Sequence, residues 1–100
     1  MIVVVFRARR TETGLGPDYL SDLARMEEIA TAMPGYISHK AYKSEDGERL
    51  TFFEWEDEAT LRDWARHSDH VEVKKTGRAR YYADYHLQVC EVLRESRFNR

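Results

Sequence analysis

Three observations predict an α+β sandwich built from one domain. The chain opens on an apolar, β-branched run, carries an Asp-Gly hairpin signal near its middle, and separates its strand-like segments by two stretches of helical periodicity. Its 100 residues suit a single domain over 1–100, and with 42% hydrophobic residues the chain can build one core while leaving much surface uncovered.

The first strand is expected from Ile2 to Arg9. Both Ile2/Val4/Phe6 and Val3/Val5 are apolar, so it is buried on both faces and central in its sheet. Two Gly and a Pro between Thr11 and Pro17 mark a loop, after which Leu20, Leu23, Met26, Ala30 and Met33 recur at helical spacing. That pattern predicts a helix from about Asp18 to Met33, ended by Pro34-Gly35 because proline cannot donate to the helix and glycine accepts the left-handed turn. A second strand, Tyr36 to Lys43, and a third, Arg49 to Glu56, flank Asp46-Gly47 and are expected to pair antiparallel. Asp57 can cap the next helix, whose inward positions are Leu61, Trp64 and Ala65, and Ser68 or Asp69 can cap a further segment reaching about Tyr82. Gly77 within it marks close packing or weakness. The last strand, about Asp84 to Glu95, is semi-apolar on both faces.

The order β-α-β-β-α-β is that of a ferredoxin-like sandwich, a four-stranded antiparallel sheet with helices on one face. Apolar rows on both faces of the sheet, Leu50/Phe52 against Phe53/Trp55, require a second cover. A two-fold homodimer, with the last strand or its tail crossing to the other subunit, supplies it.

Composition excludes several classes. Sixteen basic against 18 acidic side chains, net −2, create no general field for nucleic acid or an anionic membrane. The longest apolar run, Ile2 to Phe6, is far short of the roughly 20 residues needed to span a bilayer, and no signal-peptide pattern precedes it. A lone cysteine, Cys90, cannot make an internal disulfide, so a reducing cytoplasm is the expected location. No phosphate loop or dinucleotide fingerprint is present, and His67-x-x-His70 with Asp69 has no third ligand that the sequence pins down, so neither a cofactor nor a metal is expected.

The segment MPGYISHKAYKSEDGERLTFFEWEDEATLRDWARHSDHVEVKKTGRARYYADYHLQVCEVLR resembles the antibiotic biosynthesis monooxygenase (ABM) domain family over nearly the whole chain. The resemblance is carried by P-G-Y after the first helix, by E-W-x-D-E-A-x-L-x-x-W leading into the second, and by W-x-x-H-x-x-H ahead of G-R and Y-x-x-Y. It implies a dimeric α+β barrel, and an activity among cofactor-independent oxygenases of aromatic compounds, haem-degrading oxygenases or proteins of other role; fold alone does not fix the chemistry. For the cofactor-free class it implies that an electron-rich phenol, anthrone or quinol is deprotonated and that its anion reduces dioxygen. Such chemistry needs a dry aromatic pocket, a base and donors for an oxyanion.

Imidazole suits the base, so His70 and Trp64 are the candidate catalytic pair. His67, Arg66, Tyr36, Phe53, Trp55 and Tyr81 are candidates for substrate contact. Each has a plainer reading: Trp64 as core, the His residues as caps or solvated side chains, and the aromatic residues as packing. His70 shares a helical face with Val73, Gly77 and Tyr81, which turns it toward the sheet, whereas His67 is expected to face solvent and His39 and His86 to be ordinary strand residues. Haem-degrading relatives carry a first-strand Asn, a Trp and a His ligand; here only Trp64 matches and Lys74 occupies the ligand position, so haem degradation stays a lesser alternative with His70 as the replacement ligand. A non-catalytic ligand-binding or interaction protein of the same fold is the competing reading.

Overall fold

The computed structural model describes residues 1–100 as the expected four-stranded antiparallel sheet covered by helices. Strand β1 spans Ile2–Arg10, helix α1 Pro17–Thr31, β2 Tyr36–Lys43, β3 Arg49–Trp55, helices α2 and α3 Glu58–Arg66 and Ser68–Thr76, and β4 Tyr82–Glu91. The sheet order β2-β3-β1-β4 makes β1 interior, as its two apolar rows require. Short 3₁₀ and π-helical turns, Thr13–Leu15 and Gly77–Tyr81, join β1 to α1 and α3 to β4.

Local chemistry explains the boundaries. Pro17 opens α1, where its missing N–H costs nothing, and Gly35 (φ 87°) follows the helix in the left-handed conformation. Asp57 and Thr60 form a reciprocal capping box at the start of α2: the Thr60 N–H donates to Asp57 Oδ1 at 2.8 Å, and Thr60 Oγ1 accepts from the Asp57 N–H. In the β2–β3 hairpin, Gly47 has φ 90°, and Asp46 is tied to Ser44, the Glu48 N–H and Arg9. Those bonds, from Ser44 first, pull its carboxyl down to about 2.

The core lies between the helices and one face of β1 and β3. Val4, Met26, Ala30, Trp55 and Trp64 form its centre, with Ile2, Ile29, Met33, Tyr36, Phe53, Leu61 and Val73 against it. Two helical positions depart from the periodicity. Leu20 is 57% exposed and Leu23 is exposed, because the inward stripe of α1 runs through Tyr19, Asp22, Met26 and Ala30, with Tyr19 packed on Tyr81 and Tyr82. The segment after α2 is two pieces rather than one, since the α-helical ladder ends at Thr76 and the chain widens into the π turn. Gly77 is there for close packing: a Cβ at that position would meet the Tyr82 ring at 2.9 Å. The last strand runs Tyr82–Glu91 rather than Asp84 to Glu95.

The sheet's uncovered apolar surface concentrates at the β4 edge. Leu87 and Val89 are 49% and 52% exposed, although their register partners Phe6 and Val4 lie on the helix side, because the helices stop short of this strand. Leu93 and Phe98, in the segment after β4, are exposed as well. No helix is long and apolar enough to cross a membrane.

Candidate functional site

The α2–α3 junction builds the site around Trp64. Trp64 lies on the inward stripe of α2, 7% exposed, and its indole stacks on Trp55 of β3 with ring centroids 6.4 Å apart and planes 19° apart. The chain turns at His67 (φ −57°, ψ 132°), so α3 folds back and lays His70 on the other side of Trp64. The two rings are 4.2 Å apart and nearly parallel, at 9°.

Two backbone bonds fix the imidazoles. His67 caps α3, its Nδ1 accepting the Asp69 N–H at 3.2 Å; the expected Ser68 or Asp69 cap is replaced because His67 is the residue with extended backbone. His67 is therefore half-buried beside Trp64, at 6.0 Å, rather than free in solvent. His70 Nδ1 lies 3.1 Å from the Trp64 carbonyl oxygen. A carbonyl only accepts, so Nδ1 carries the proton and Nε2 keeps its lone pair. Burial pushes the imidazole down to about 4; the Trp64 carbonyl opposes it, and the positive charge of Lys74 acts in the same direction as burial. At neutral pH, His70 is an uncharged acceptor held flat against an indole.

The other predicted side chains fall in different places. Tyr36 meets Trp55 edge-on at 5.8 Å and bonds His39, while Phe53 stacks on His39 at 5.8 Å. Trp55, 1% exposed, is the wall behind Trp64 rather than an open surface. Arg66 is exposed at the end of α2. Tyr81 is buried in a second cluster: its hydroxyl donates to Asp22 Oδ2 at 2.5 Å, and its ring meets Tyr19 edge-on. The bond to Asp22, then burial, raises the phenol to about 12. The π turn swings Tyr81 off the α3 face that the three- and four-residue spacing from His70 implied.

Sequence reasoning missed Glu27 and the partnership of His39 with Tyr36. His39 Nε2 stands 3.6 Å from Glu27 Oε1. A regular strand places residues three apart on opposite faces, so no spacing signal could have joined His39 to Tyr36. Lys74 donates an ammonium N–H to the Ala65 carbonyl at 3.0 Å and has no lone pair to offer iron, so it does not fit the role of a haem ligand. No group of three or more His, Cys, Asp or Glu side chains converges as a metal site would. A depression of about 440 Å³ opens elsewhere, among Met1, Ile2, Glu56, Asp57, Glu58, Val89 and Glu91, with none of the candidate residues in its wall.

Residues 1–76 match the family described as antibiotic biosynthesis monooxygenase. The protein YqjZ of Bacillus subtilis (strain 168) is 27% identical over 95 residues, covering 95% of this chain and 82% of its own length. Among solved structures, Rv0793 from Mycobacterium tuberculosis superimposes with a TM-score of 0.79 at 18% identity over 96% of this chain and 98% of its own. SnoaB, a cofactor-independent oxygenase from Streptomyces nogalater, does so with 0.76 at 14% identity, over 94% of each chain. At such identities these two structures show a shared fold.

Proposed function

The chain belongs to the antibiotic biosynthesis monooxygenase family, and on that premise we propose that it is a cofactor-independent monooxygenase of a small aromatic compound, a phenol, anthrone or quinol, with dioxygen as co-substrate. The observation that carries this reading is the Trp64–His70 pair: a neutral imidazole, its tautomer set by a backbone carbonyl, directs a free Nε2 lone pair from an apolar setting.

The chemistry asks little more of the protein. His70 Nε2 accepts a proton from the bound substrate, and the anion left beside the half-buried imidazolium is held more strongly than it would be in open water, which offsets the low proton affinity of the empty site. The electron-rich anion then reduces dioxygen. For a phenol converted to a quinone, one oxygen atom enters the product, the other leaves as water with the O–H and C–H hydrogens, and the substrate supplies all the electrons. Trp64 and Phe53 present aromatic faces, and Trp55 sets Trp64 from behind. His67, Arg66 and Tyr36 are the polar groups assigned to the substrate; Tyr81, buried with its hydroxyl on Asp22, is left to the fold.

Oxygen uptake by purified, metal-free protein with anthrone or a dihydroxynaphthalene tests the activity. Protein-dependent uptake with quinone formation and no added cofactor is expected above the rate with boiled protein. No uptake across several such phenols would reject oxygenation in favour of ligand binding.

The same reading includes a homodimer. β4 is an edge strand of ten residues whose outer backbone groups and apolar side chains are unpartnered, and the exposed Leu93 and Phe98 extend that surface. A second copy, placed by two-fold symmetry, covers all of these at once. Light scattering should give twice the chain mass, and Leu87→Glu with Val89→Lys should reduce it to one; a monomeric parent chain would contradict the assignment.

A further inference from the structure

β2 carries an extra residue where it meets β3. Tyr36 pairs with Trp55, Ser38 with Glu54 and His39 with Phe53, so the register slips by one at Ile37, which is bulged outward. Without the slip, Tyr36 and His39, three apart, would point to opposite faces of the sheet. With it both lie on the helix-facing side, and the Tyr36 hydroxyl comes to 2.5 Å from His39 Nδ1. Glu27 of α1 approaches the other ring nitrogen, Oε1 to Nε2 at 3.6 Å. A carboxylate there favours the proton on Nε2, which leaves Nδ1 as the acceptor and the Tyr36 phenol as the donor. Phe53 stacks against the imidazole and Trp55 meets the phenol edge-on, so neighbouring rings hold both partners in place.

We propose that Tyr36, His39 and Glu27 form a proton relay that ionises a bound phenol: the Tyr36 oxygen takes the ligand's hydroxyl proton as its own proton passes to His39 Nδ1, and Glu27 holds the resulting imidazolium. One O–H bond breaks on the ligand and one forms on Tyr36; the Tyr36 O–H breaks and an N–H forms on His39. The ligand ends with one negative charge and His39 with one positive charge facing a carboxylate, and no electron moves in the step.

Burial, and then the charge of Glu27, hold the Tyr36 phenol above its ordinary range, so at neutral pH it is un-ionised and has a proton to pass. The row Tyr36, Trp55, Trp64, His70, with ring steps of 5.8, 6.4 and 4.2 Å, puts the relay at one end and His70 at the other. The relay rests on the phenolic substrate proposed above, and adds to it the group that handles the hydroxyl.

The test uses two probes. Para-nitrophenol, which colours on ionisation, reports the relay without oxygenation; a dihydroxynaphthalene reports turnover. Wild-type protein below the free phenol's own ionisation range should bind para-nitrophenol as its anion. Tyr36→Phe, which keeps the ring and its packing, should abolish that shift, and Glu27→Gln, an exposed position, should weaken it. In oxygen uptake, Tyr36→Phe should lower kcat by ~10² or more with KM little changed, the scale of a lost proton-transfer group. Equal ionisation in wild type and Tyr36→Phe, or none in wild type, overturns the relay whatever the turnover. Ionisation without oxygen uptake counts against the oxygenase reading alone.

Discussion

Replacing Trp55 by Ala is expected to destabilise the fold by about 3–5 kcal/mol, the range for truncating a buried aromatic side chain. Trp55 is the most completely covered large side chain, 1% exposed, and it supports Tyr36 edge-on and Trp64 face-on. Its removal therefore opens a void between β3 and α2 that neither neighbour can fill without leaving its own contacts. For a domain of this size the loss corresponds to a fall in Tm of roughly 12–40 °C. Thermal unfolding followed by circular dichroism measures it. Trp55→Phe, which retains much of the volume, should recover most of the stability. A fall of only a few degrees in Trp55→Ala would mean that Trp55 is not the keystone of this core.

His70→Ala is expected to lower turnover by about 10² to 10⁴-fold, the scale for loss of a general base, with the dimer intact. Unchanged turnover would remove His70 from the mechanism. The same residue makes an independent prediction about stability. Its folded-state value of about 4 lies below the unfolded value, so between roughly pH 6.5 and 4 the unfolded chain binds the extra proton. His70 thus leaves stability unaffected above that window and weakens the fold as the pH falls through it. The ring is partly solvated, so the full conversion is discounted to about 1–2 kcal/mol lost by pH 4. Urea titrations at pH 7 and 4.5 should show a smaller acid-induced loss in His70→Gln than in wild type. Identical losses would show that burial does not suppress this proton.

Much of the fold was legible because its signals are local. The apolar run of β1, the Pro34-Gly35 stop, the Asp46-Gly47 hairpin and the Asp57 cap each act within a few residues, and each lies where the sequence reading places it. Helical periodicity marked Met26, Ala30, Leu61 and Trp64 for the core for the same reason. It failed at Leu20 and Leu23, because the first turns of α1 turn Tyr19 and Asp22 inward to meet Tyr81, and an apolar count cannot see that a phenol and a carboxylate take the inward positions.

The site was legible in its parts and not in its joins. Trp64 and His70 could be singled out by residue type and spacing, but the parallel stack between them depends on the turn at His67, where a side chain caps the helix that carries its neighbour. Tyr81 was assigned to the same face by counting residues, and one π turn sent it to Asp22 instead.

By itself the sequence determined the order of the elements, the family and the inward place of Trp64 on its helix, because these follow from short-range preferences and residue identity. Only the tertiary structure decided that Tyr36 and His39 share a face, that Glu27 stands behind them, and that His70 keeps its free nitrogen at Nε2. Each of those outcomes turns on a single extra residue or one backbone bond, and a strand's side chains reverse direction at every step, so one slip at Ile37 reassigns a partner that no local pattern records.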